Sequence, residues 1–280
     1  MKDNSELISM LSLVDDPDVG GVVKTRLMER GEEAVELIEA MRHNLPTIDS
    51  SIIDSFLLEL KESITMEQLK KLLELPEPPL NKEIFLLTKL MDSECSEEQW
   101  NDVLEDFIID ISLEISSKRT DVENVEIFNH LFFSRFKFRC EDPEMRSEEC
   151  ALINRVFDSR KGNPVAVSLI YFMLSGSVGL PIHPMCFSGG FIPAYIDKRG
   201  EVLFYLNVFN RGAIFTKEHL KDIPGFAEMG DTEISVGQER ALASIYVEML
   251  MFVYENISYS YKKPLLEEIQ ILLGSDKKLL

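Results

Sequence analysis

The chain has 280 residues, 45% of them hydrophobic, enough to bury a substantial core and to form more than one subdomain. It carries 29 Lys+Arg against 49 Asp+Glu, a formal charge of -20. Such acidity repels nucleic acid and anionic membranes unless a dense basic patch intervenes, and the pairs Lys70-Lys71, Lys262-Lys263 and Lys277-Lys278 are isolated. The polar opening Met1-Lys2-Asp3-Asn4-Ser5-Glu6 does not read as a secretory signal. The longest apolar run, Ala241 to Tyr254, is interrupted by Glu248 and is too short to span a bilayer. Cys95, Cys140, Cys150 and Cys186 are scattered, with no C-x-x-C pair. The expectation is a cytoplasmic protein with reduced thiols that binds neither nucleic acid nor membrane.

The first part reads as successive helices. Leu7, Ile8, Leu11 and Val14 recur at helical spacing, and Asp15-Asp16-Pro17-Asp18 breaks the pattern, with Asp18 or a neighbour placed to cap the next helix. That helix carries Val22, Val23, Leu27 and Met28 and stops at Gly31, and another runs through Ala34, Leu37, Ile38 and Met41. This pair resembles one HEAT-type repeat, and a single repeat must pack on neighbours to bury its apolar face. Further helices are predicted at Ile52–Ser63 and Met66–Leu75, before the break Pro76-Glu77-Pro78-Pro79. Helices are then predicted over Glu83–Met91, Glu97–Ser116 and Val125–Phe136.

Arg160-Lys161-Gly162-Asn163-Pro164 is the sharpest local signal. Gly162 suits the left-handed end of one helix, Asn163 the N-cap of the next and Pro164 its first turn. The helix so begun, from Val165 through Leu174, is apolar nearly all round and is predicted to be buried. Strand chemistry begins after Gly179: Ile182–Phe187, Phe191–Asp197 and Glu201–Phe209, with a hairpin turn at Asp197-Lys198-Arg199-Gly200. Ala213–Phe215 adds a short strand. The tail returns to helix over Val236–Tyr259 and Pro264–Leu273, resembling one TPR-like hairpin. The fold class is α+β: a mostly helical chain with a small antiparallel sheet packed on a central helix. The expected divisions are a helical region over 1–75 with the HEAT-like unit, a core over 80–228, and the hairpin over 229–280.

Asn129-His130 with Phe132-Phe133 and Phe136-x-Phe138 is followed by Leu152-Ile153-Asn154-x-Val156 and the Arg160–Pro164 run. Gly179-Leu180-Pro181-Ile182 and Phe204-Tyr205-Leu206-Asn207-x-Phe209-Asn210-x-Gly212 complete the series. In this order these motifs resemble the SirB-type, transglutaminase-like proteins of bacteria. The resemblance covers roughly Asn124 to Leu220 and implies a papain/transglutaminase core. Active members of that superfamily place a Cys at the start of the central helix, where the dipole and backbone N–H groups lower its pKa. A His on the next strand is the base, and an Asp on the following strand orients it. On this chain the nucleophile position falls at or beside Pro164, the base position at Gly190 and the orienting position at Asn207. Proline in place of the nucleophile is common in the SirB-type family and Asn is familiar at the third position. Family members carry His where Gly190 stands, so the resemblance implies that Gly190→His would be accommodated.

No other constellation supplies the chemistry. His183 and Cys186 are separated by an odd number of residues, which places them on opposite faces of one strand. Cys140 and Cys150 flank the acidic segment Glu141-Asp142-Pro143-Glu144 and read as unreactive thiols, and His130 reads as a core or capping residue. No cluster has zinc, calcium or phosphate-loop spacing, so no metal and no cofactor is expected. The sequence therefore reads as a catalytically inactive transglutaminase-like protein that binds an unidentified protein partner or has a regulatory role. The candidate groove residues are Asn163, Ser188, Gly189, Asn207 and Asn210. The alternatives are a cysteine-dependent amidase or transferase with a migrated nucleophile, and a helical scaffold that binds through its ends.

Overall fold

The computed structural model describes residues 8–41, 50–187, 190–222, 235–236, 239–257 and 260–274. The chain divides into two compact units, residues 1–72 and 73–280. In the first, α1 (Gly20–Glu29), α2 (Glu32–Met41) and α3 (Ser50–Leu73) surround a core that includes Leu27, Ile38, Phe56 and Leu60. Asp16 rather than Asp18 closes the break before α1, its Oδ1 accepting the N–H groups of Asp18 and Val19 at 2.9 and 3.1 Å. Gly31, at φ +59°, ends α1 as expected. The two helices predicted over 52–75 are one helix of 24 residues. Ser63-Ile64-Thr65 contains neither glycine nor proline, and Thr65 turns its hydroxyl back onto the Lys61 carbonyl at 2.8 Å, so nothing stops the helix there.

The second unit contains α4 (Leu80–Met91), α5 (Glu97–Glu114) and α6 (Asp121–Asn129), the last continued by a π-helical turn, His130–Arg135. Then come β1 (Arg139–Cys140), α7 (Ile153–Ser159), β2 (Lys161–Gly162) and the central helix α8 (Pro164–Ser177). Strands β3 (Ile182–Phe187), β4 (Gly190–Ile196), β5 (Val202–Asn207), β6 (Ala213–Phe215) and β7 (Ser235–Val236) precede α9 (Glu239–Asn256) and α10 (Lys263–Leu272). The larger sheet is antiparallel with order β6-β5-β4-β3-β7, while β1 and β2 form a separate parallel pair.

Helix α8 organises this unit. Residues Val165 through Ser175 are all buried, and α5, α7, α9 and β3 pack around them. Each large apolar side chain so enclosed contributes roughly 1.5–3 kcal/mol relative to exposure. The π turn departs from the plain helix expected through Phe136, and Phe132 and Phe133 within it lie 5.1 and 6.0 Å from the Tyr171 ring. The tail helix α9 packs on α4 and α8 within the same unit, with Thr88 Oγ1 and Tyr246 Oη 3.0 Å apart. Residues 229–234 of the expected hairpin region lie outside the described residues. Among the described residues, no helix is long and apolar enough to cross a membrane.

One expectation at the start of α8 is corrected. Arg160, not Gly162, takes the left-handed conformation that ends α7, at φ +62°. Gly162 lies in β2 and is required for space: a Cβ there would approach the side chains of Val167 and Val156 to 2.9 and 3.1 Å.

Asp92, at the end of α4, accepts hydrogen bonds from Asn154 Nδ2 at 2.9 Å and Arg155 Nε at 3.1 Å, tying α4 to α7. Partial burial raises its pKa, but those two bonds, the Glu94 N–H and the Arg155 charge together outweigh it and the net shift is downward. A carboxyl depressed on folding stabilises the protein fully above its unfolded pKa of about 3.9 and loses that contribution as pH falls through the lower folded value. Asp92→Asn is therefore expected to lower the urea midpoint at pH 7 and to flatten its decline below about pH 4; an acid limb unchanged from wild type would rule out a contribution from Asp92.

Candidate functional site

The start of α8 is closed by the protein's own groups. Asn163 is 0% exposed. Its Oδ1 accepts the Ala166 N–H at 2.9 Å, its Nδ2 donates to Met249 Sδ of α9 at 3.0 Å, and its backbone N–H donates to the Cys150 carbonyl at 2.7 Å. Pro164 occupies the first helical position, without an N–H. The N-terminal donors that would depress a thiol pKa in this place are thus partly satisfied by an internal cap, and α9 lies over the cap.

Two thiols flank this point. Cys140 pairs in register with Gly162, and the Cys150 carbonyl holds Asn163. Sequence spacing alone did not bring them here. Burial pushes both thiols up, and the carboxylate of Asp142 pushes in the same direction. Burial also raises Cys186, and burial followed by Asp92 pushes Cys95 up to about 12. Thiolate is the nucleophilic form, so these surroundings act against attack at neutral pH.

The strand positions have a different geometry. Phe191 turns to α8, its ring 5.6 Å from that of Phe172, whereas Ile192, Ala194 and Ile196 pack with Met185, Tyr205 and Leu220. Strand alternation therefore assigns position 190 to the second face, away from Phe191. His183 and Cys186 obey the same alternation: His183 is exposed and Cys186 half-buried. Asn207 lies two residues after Tyr205, and its Oδ1 accepts the Asn210 N–H at 3.0 Å. Asn210 is exposed in the short 3-10 turn so formed, while Ser188 and Gly189 lie outside the described residues. Gly190 has φ +151°, a value that favours glycine, so the accommodation of His at this position is corrected.

The motif residues around Asn207 build a clamp. Tyr171, in the middle of α8, donates its hydroxyl to Asn129 Oδ1 at 2.6 Å, and Asn129 Nδ2 donates to the Gly212 carbonyl at 2.8 Å. The Gly212 N–H donates to the Asn207 carbonyl at 2.8 Å. Gly212 has φ +72°, and a Cβ there would lie 2.1 Å from Asn129 Oδ1. Burial pushes the Tyr171 phenol up, keeping it a donor. Asn129, Tyr171 and Gly212 are thus one unit, a link their separation in sequence conceals.

A separate open groove of about 540 Å³ lies between the end of α5 and the α6–π segment, with Ile127 and Leu131 among its lining and Glu114, Glu126, His130 and Arg135 around them. Among the described residues, no group of three or more His, Cys, Asp or Glu is placed to hold a metal.

Residues 98–231 match the family model described as the transglutaminase-like superfamily. The chain carries a transglutaminase-like domain, and its helices and antiparallel sheet have the corresponding α+β architecture. No curated protein and no solved structure matches the chain.

Gly212→Ala is expected to destabilise by more than about 2 kcal/mol, since it adds strain at positive φ and a clash with Asn129. Tyr171→Phe, which removes only the hydroxyl, is expected to cost about 1–2 kcal/mol because Asn129 loses a buried donor. Gly190→His is expected to cost about 1–3 kcal/mol from backbone strain. Urea unfolding measures all three, and a Gly212→Ala protein as stable as wild type would show that the clamp contributes nothing to stability.

Proposed function

We propose that this chain is a SirB-type bacterial member of the transglutaminase-like group that has lost catalysis and works in the cytoplasm as a protein-binding or regulatory module. The observation that supports the reading is the filled start of α8: Asn163 is fully buried under Met249, and Pro164, which the resemblance aligns with the nucleophile, takes the first helical position. Gly190 supplies no base at the second position, and the Asn207 side chain at the third is engaged with its own turn. A domain that keeps this core while filling its reactive corner retains surfaces as its means of action.

The second reading, a cysteine-dependent amidase or transferase, is favoured by one observation, the placement of Cys140 and Cys150 beside the start of α8. Their upward-shifted thiols argue against it. The pH dependence of iodoacetamide labelling, resolved cysteine by cysteine by mass spectrometry, separates the two. None of the four is expected to titrate below the ordinary thiol value of about 8.5. A thiol at Cys140 or Cys150 with a midpoint below about 7 would establish an activated nucleophile and overturn the silent reading.

A further inference from the structure

Helix α5 has one face in the core and, among the described residues, one that is solvent-exposed. Trp100, Leu104, Phe107 and Ile111 are buried. On the opposite side Glu98, Asp102, Glu105, Ile109 and Leu113 recur at intervals of four, three, four and four residues, one stripe along the helix. Ile109 is 51% and Leu113 79% exposed. This exposed Ile–Leu pair one turn apart is the apolar end of the stripe, and Glu114, the last residue of the same helix, lines the groove that holds Ile127 and Leu131.

Charge identifies what fits. Helix α5 carries seven carboxylates and no lysine or arginine. Among the described residues, Lys82 pairs with Glu97 and Arg135 with Asp110, while Glu98, Asp102 and Glu105 form no ion pair. The groove is lined by three carboxylates, Glu114, Glu123 and Glu126, against two cations, Arg119 and Arg135. The stripe is therefore acidic over its first half and apolar over its second, across a helix roughly 27 Å long at 1.5 Å per residue. A second copy, with the same acidic face and the same net charge of -20, is electrostatically disfavoured as the occupant.

We propose that the exposed face of α5, together with the groove at its end, docks a cationic amphipathic helix of a partner protein. Its Lys or Arg residues face Glu98, Asp102 and Glu105, and its apolar side chains cover Ile109 and Leu113 and enter the groove beside Leu131. This is helix-in-groove recognition, with the charge steering the encounter and the apolar half holding it. The proposal rests on the protein-binding reading of the chain and names the surface and the partner chemistry.

The test uses the full chain and a fluorescein-labelled 18-residue Leu/Lys amphipathic peptide, with a scrambled isomer of equal charge as control. Fluorescence anisotropy is read at low and high salt. Saturable binding is expected, at least tenfold tighter for the amphipathic peptide than for its isomer. Ile109→Ser/Leu113→Ser is expected to weaken it at least tenfold, and Asp102→Asn/Glu105→Gln to weaken it and lessen its salt dependence. All four positions are solvent-exposed, and unchanged thermal unfolding of each variant verifies the fold. Equal affinity for the scrambled isomer, indifference to either double variant, or absence of saturable binding overturns the proposal. So does sedimentation showing a dimer that Ile109→Ser/Leu113→Ser dissociates, since the face then belongs to a second copy. Thiol labelling of the same preparation reports separately on the silent reading, so failure here leaves that reading to its own result.

Discussion

A helix with no polar face has to be enclosed, and the second unit is built around that requirement. From Val165 to Ser175 every residue of α8 is buried. An amphipathic neighbour offers one apolar face, so enclosure takes several: α5, α7 and α9 together with β3. Tyr171 brings a polar group into the middle of it, and its hydroxyl needs an acceptor where no water reaches. Asn129 supplies it and relays the bond to the Gly212 carbonyl, so that a core requirement fixes the end of the sheet. Space for Asn129 in turn excludes any side chain at 212.

The same enclosure bears on chemistry. A thiol at a helix start has its pKa lowered only where the first N–H groups are left unsatisfied. Here Asn163 satisfies the Ala166 N–H, and α9 contributes Met249 over the cap. The thiols that do approach, Cys140 and Cys150, stand near Asp142 in partly buried surroundings, and both effects favour the protonated form.

Polar surface is distributed unevenly around this core. Arg155 is drawn to Asp92 and Glu149, and Arg139 to Glu141, so these cations are engaged locally. Among the described residues, the solvent face of α5 has no such complement over Glu98, Asp102 and Glu105, and it ends on two exposed aliphatic residues.

Local signals in the sequence located the elements whose causes are local. The all-round apolarity of residues 165–174 fixed α8 as buried, Asn163-Pro164 fixed its start, and Asp197–Gly200 fixed the β4–β5 turn, where Asp197 Oδ1 accepts two backbone N–H groups and Gly200 adopts φ +82°. Pattern and turn chemistry act within a few residues, so one sequence suffices to read them. The division of 52–75 into two helices fails because no local breaker stands between them, and Gly162 is not a helix end because its constraint comes from Val156 and Val167. The candidate site depends almost wholly on contacts distant in sequence. Met249 over Asn163, Tyr171 against Asn129, Gly212 beneath Asn129, and two thiols at the start of α8 join residues far apart in the chain. The sequence by itself determined which residues had to be buried and where the chain turned. Only the tertiary structure decided which polar groups meet, because burial constrains how much surface is removed from water and hydrogen bonding constrains which atoms lie within about 3 Å.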